Sequence, residues 1–167
     1  IVSTNFFSLY VTQWLGIESR YLAFFPILNA AVMLIFMIGI QHKLELVKFR
    51  IPMWIGLALY AIAVILLILA PTGSIPFVIV YVFVVAVAGS LVMPRKDALI
   101  QLNINAEERA RINALIMSFT IAFSSPFGYF AGWLSSIDRR LPFMFSFALF
   151  LVAIIIVGRI RDPEFSK

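Results

Sequence analysis

Residues 62–69 read Ile62-Ala63-Val64-Ile65-Leu66-Leu67-Ile68-Leu69, an unbroken apolar row inside an apolar run that extends from 52 to 70. No in-out period of two is present, so the run is not a strand of a transmembrane β-barrel, whose residues alternate between lipid and lumen. It has the length of a membrane-spanning α-helix, for which about 20 mostly apolar residues cover about 30 Å of hydrocarbon. Working outward from it, stretches of the same kind fall at 21–40, 76–94, 112–133 and 142–158, each bounded by charged, Pro- or Gly-containing segments. Residues 1–14, with Phe6, Phe7, Leu9, Tyr10, Val11 and Trp14, read as the last part of one more span, whose beginning is expected to precede Ile1. The expected fold is all-α: a polytopic membrane helix bundle over 1–167, with five complete transmembrane helices, the end of a sixth, and a tail from 159.

The composition agrees. Hydrophobic residues make up 63% of the chain and charged residues 13%, and the mean hydropathy is +1.05. A soluble domain must cover its core with polar surface, and 13 Lys and Arg with 8 Asp and Glu are too few for that. The lipid bilayer is the expected solvent. The net charge of +5 sits in short clusters between apolar runs rather than along one helix face, so no nucleic-acid partner is expected. With no cysteine and one histidine, thiolate metal sites, disulfides and Cys or His nucleophiles are not central. No serine motif with histidine, metal-ligand cluster or paired intramembrane carboxylates occurs either, so neither enzymatic chemistry nor a cofactor is expected.

Orientation follows from the excess of Lys and Arg on cytoplasmic loops. One side carries Lys43, Lys48, Arg50, Arg95, Lys96, Arg109, Arg111, Arg159, Arg161 and Lys167; the other carries Arg20, Arg139 and Arg140. The segments 41–51 and 94–111 and the C-terminus are therefore expected in the cytoplasm, in a plasma or bacterial inner membrane. In 94–111, Ala98, Leu99, Ile100 and Leu102 continue an apolar stripe past Pro94, and Asn105 with Glu108 resembles a weak capping box. Two readings stay open: an interfacial helical extension followed by a helix start near Ala106, or a solvated linker.

Polar residues are shared unevenly, and a polar group facing lipid is costly. The spans 52–70 and 142–158 are nearly bare and are expected on the lipid side. The first span carries Ser3, Asn5, Ser8, Thr12 and Gln13, the second Asn29, and the fifth Ser118, Thr120, Ser124 and Ser125; these three are expected to face protein or a cavity. Asn5 and Gln13 lie about two turns apart and approach one face. Asn29, midway along its span, calls for an interhelical hydrogen bond or a watery cavity. Gly128 and Gly132 form a GxxxG pair, and Pro126 and Pro26 permit kinks. The spans read as two triplets, each closing on an apolar helix, as a three-plus-three repeat leaves behind.

In helix count and topology the chain resembles the C-terminal half of a major facilitator superfamily transporter, its seventh to twelfth helices. Pro94, followed by Glu107-Glu108-Arg109-Ala110-Arg111-Ile112-Asn113-Ala114-Leu115, and Ser125-Pro126-Phe127-Gly128 with Gly132 carry the resemblance, which covers the whole chain. Of the family's basic loop pattern, Gly39 and the basic character of Lys43, Lys48 and Arg50 are kept, while its acidic residue and second glycine are absent. The resemblance implies two six-helix halves around a central cavity, this half contributing its first, second, fourth and fifth helices, with a small solute transported by alternating access. It implies a partner in the form of an N-terminal six-helix half. It makes Asn5, Gln13, Phe25, Asn29, Ser118 and Ser124 candidate cavity-lining residues and places Gly39, Lys43, Arg50, Arg95, Asp97, Arg109 and Arg111 in cytoplasmic gating loops. All acidic residues fall in loops or the tail, so coupling residues are expected outside this half. Phe24, Phe25, Phe119, Phe123 and Phe127 on the cavity helices suit a hydrophobic substrate. The competing expectation is a stand-alone six-helix channel or scaffold acting as a homodimer.

Overall fold

The computed structural model describes residues 2–44, 50–102 and 108–159. Helix α1 (Val2–Leu9) runs into a π-helical turn at Tyr10–Trp14, closed by the Leu15 N–H donating to the Tyr10 carbonyl at 3.0 Å. Gly16, at φ +68°, ends it in the left-handed conformation that only glycine takes readily. A 3₁₀ turn at Ser19–Tyr21 leads to α2 (Phe24–Leu44), followed by α3 (Arg50–Ile68), α4 (Ile75–Leu102), α5 (Arg109–Ile137) and α6 (Leu141–Arg159). Among the described residues five helices are long and apolar enough to cross a membrane. The chain is an all-α, multi-pass bundle.

The spans expected at 52–70 and 142–158 coincide closely with α3 and α6. Helix α4 does not end at Pro94. It continues to Leu102, so the stripe at Ala98–Leu102 belongs to the same helix. Proline has no N–H to return to the Ser90 carbonyl, and one turn earlier Ser90 Oγ donates to the Ala86 carbonyl at 2.8 Å. The described part of α5 starts at Arg109, and Glu108 before it makes no side-chain cap; Asn105 and Ala106, where the capping box and helix start are expected, lie outside the described residues. The expected gating loops are largely helix ends. Gly39 and Lys43 lie in α2, Arg50 opens α3, Arg95 and Asp97 lie in α4, and Arg109 and Arg111 form the first turn of α5.

Helix α3 packs against α4 and α6, α2 against α4, α1 against α6 and α5, and α5 against α6. Exchanging α1 with α4, α2 with α5 and α3 with α6 maps the α2–α4 contact onto α5–α1 and the α3–α4 contact onto α6–α1, and returns α3–α6 to itself. The contacts of α1 are much slighter than those of α4 onto which they map, and the α5–α6 contact has no comparable counterpart. The tightest approach is between α3 and α4: a Cβ added to Gly56 would lie 2.5 Å from Val92 Cγ2 and 3.1 Å from the Ala88 carbonyl oxygen. Ala61, Ala63, Ala86, Ala88 and Ser90 are buried on the same two helices. In lipid, helices associate by van der Waals fit, which small residues permit.

The helices differ in how far this chain itself encloses them. Helices α3 and α4 are the most enclosed, and the polar-bearing α2 and α5 the least. Small side chains decide which helices nest, whereas serines and threonines satisfy themselves on their own helix. Ser118, Thr120 and Ser124 donate to the Ala114, Ile116 and Thr120 carbonyls at 2.8, 2.7 and 2.5 Å, so they place no demand on a neighbouring helix.

Candidate functional site

Helix α1 carries Phe7 inward, and the start of α2 brings Phe25, Pro26 and Asn29 to it, because residues three and four apart share a helix face. Helix α4 completes the group with Tyr81, Val82 and Val85. These residues line a recess of about 220 Å³. The Phe7 ring meets Phe25 edge-on, with centroids 5.8 Å apart, and stacks on Tyr81 at 5.4 Å. Phe25 is 2% and Tyr81 6% exposed, so both rings are fixed walls, and Asn29 is half-buried beside them. Asn29 lies at the midpoint of the apolar stretch Ser19–Gly39.

Two of the lining residues carry polar side chains, Asn29 and Tyr81, and neither has a hydrogen-bond partner among the described residues; the Tyr81 hydroxyl has Tyr60 as its electrostatic neighbour. No charged side chain lines the recess. Such a site can hold a small uncharged molecule between aromatic rings and offer it both donors and acceptors.

Of the expected cavity-lining residues, the structure brings Phe25 and Asn29 together here, with Pro26 beside them. Gln13 is exposed, and Ser118 and Ser124 lie on α5, bonded to their own helix. Asn5 lies in α1, its side chain outside the described residues. Gly128 has open space around it, and a Cβ on Gly132 would meet Phe6 at 3.9 Å. Pro126 lies within α5, exposed. A larger trough of about 580 Å³ runs between the end of α4 and α5 along Lys96, Asp97, Asn113, Met117 and Thr120. All of these are exposed, and the Lys96–Asp97 ion pair, at 3.4 Å, is an exposed neighbour pair. It is a surface furrow rather than a built site.

Phe7 and Tyr81 escaped the sequence reading, since nothing in their local pattern distinguishes them from ordinary core aromatics. A second unforeseen cluster ties the other end of α1 to the loops. Tyr10 donates to the Leu67 carbonyl at 3.3 Å, and its ring packs on Phe143 at 4.7 Å. The Arg140 guanidinium lies 4.8 Å from the Trp14 ring centre. The Gly73 N–H donates to the Leu15 carbonyl at 2.6 Å, with Gly73 at φ +76°. The loops after α1, α3 and α5 are thereby fastened at one end of the bundle.

No family model matches the chain, and no curated protein matches it. The class defined by fold and site is a multi-pass helical membrane protein with an uncharged recess among its first, second and fourth helices.

Proposed function

We propose that this chain is one half of a secondary transporter that moves a small solute by alternating access, its C-terminus in the cytoplasm. One observation carries the reading: a recess holding an unpartnered amide inside an apolar helix, five residues from its start. A structural helix contact would satisfy that amide, because an unmatched polar group in hydrocarbon costs several kcal/mol on the order of a lost buried hydrogen bond. A group that binds and releases a solute is left free between visits.

Two further features support it. Helices α2 and α5 expose apolar faces along most of their length, including Leu34, Ile35, Ile38, Met117, Phe123 and Tyr129, and flank the bundle where a second six-helix half would close against it. The near-exchange of packing partners between the two helix triplets is what a three-plus-three repeat of a rocking transporter would produce.

The chain has no cysteine, so Asn29→Cys in the full-length protein gives a single label site. A membrane-impermeant maleimide is expected to reach it from both faces of sealed vesicles, and a saturating transported solute to slow both reactions. Labelling from neither face would overturn the reading, and labelling from both faces with solute flux that does not saturate would favour a channel.

A further inference from the structure

From the lining of the recess between α1, α2 and α4 we infer that its ligand is a neutral, aromatic molecule carrying one hydrogen-bonding group, held between Phe7, Phe25 and Tyr81 and anchored by Asn29. The inference rests on the transporter reading for its purpose but not for its chemistry.

Charge is excluded first. No Lys, Arg, His, Asp or Glu lines the recess, and an ion brought there would lose its hydration with no counter-charge in return. Shape and wall chemistry come next. Phe7 already presents one face to Tyr81 and meets Phe25 edge to face, and a planar aromatic guest extends that set, each ring pair adding to apolar burial. The volume of about 220 Å³ admits one or two fused rings and little more. The polar requirement comes last. Asn29 sits five residues into α2 and Tyr81 six into α4, about 8 and 9 Å along each axis at about 1.5 Å per residue. An acyl chain filling the recess would leave the Asn29 amide unmatched. A phenol or an indole satisfies both Asn29 and Tyr81 with the polar edge of its ring.

The test is equilibrium binding of 2-naphthol to the full-length protein in lipid nanodiscs, read against empty nanodiscs to remove partitioning. Saturable binding is expected, with naphthalene binding more weakly and 2-naphthoate and 2-naphthylmethylammonium not at all. Asn29→Leu and Tyr81→Phe are each expected to weaken 2-naphthol about tenfold, the worth of one buried hydrogen bond. Tyr81→Phe should leave naphthalene binding unchanged. Val85→Trp, which fills the recess, should abolish saturable binding. Should Asn29→Leu or Val85→Trp fail to fold, Tyr81→Phe, which removes one oxygen and keeps the ring, decides. Equal binding of the charged analogues, or unaltered 2-naphthol affinity in the folded variants, overturns the proposal. Binding that behaves as expected without flux in proteoliposomes removes the transporter reading and leaves the ligand class standing. Flux of a charged solute that is insensitive to these substitutions does the reverse.

Discussion

At the scale of single residues, three glycines illustrate how little local sequence says about their role. Gly128 and Gly132 carry the spacing associated with close helix contact, yet it is Gly56, with no glycine four positions away, whose missing side chain lets α3 meet α4. Gly56→Ala is expected to destabilise the protein by about 1–3 kcal/mol, because the new methyl collides with Val92 and the Ala88 backbone and the helices must part. Gly128→Ala should be neutral or stabilising by up to about 1 kcal/mol, since open space surrounds the site and alanine is the better helix former. Thermal unfolding in detergent separates the two, and equal melting shifts would refute the packing assignment. Arg140 belongs at this scale too. Its guanidinium lies on Trp14, in a setting where Trp14 Nε1 and Arg140 Nε are sealed without acceptors. Arg140→Gln should lower stability by about 0.5–2 kcal/mol through loss of the cation–π contact, and Trp14→Leu should lose less in that background than alone. Additive losses in the double variant would show that the two side chains act independently.

At the scale of helices, the spans were legible because a bilayer permits almost no alternative to an unbroken apolar helix of its own thickness. Their ends were less so. Pro94 reads as a boundary, yet α4 runs through it for eight more residues, with Leu91 and Val92 in the weakened turn packed on Gly56 of α3. Pro94→Ala restores the missing N–H and is expected to slow amide exchange over residues 94–98; unchanged exchange would mean that the turn was already as firm as the rest. The turn at Tyr10–Trp14 likewise has no sequence mark. It is a consequence of where Tyr10 and Leu15 must lie to meet Leu67, Phe143 and Gly73, contacts made across 57 positions or more.

At the scale of the whole molecule, the charge distribution predicts sidedness directly. In intact cells Ser74→Cys is expected to react with an impermeant maleimide from outside and Lys48→Cys only after permeabilisation; the reverse pattern would invert the topology. Composition and hydropathy by themselves marked helices long and apolar enough to cross a bilayer and where most of them lie, because the cost of exposing backbone and charge to hydrocarbon acts on each segment alone. Which helices nest, which polar groups are left unmatched, and that Phe7, Phe25, Asn29 and Tyr81 share one recess were decided only in the tertiary structure. Inside a membrane every apolar face is equally soluble, so helix pairing follows steric fit between distant residues, and that fit leaves no periodic trace along the chain.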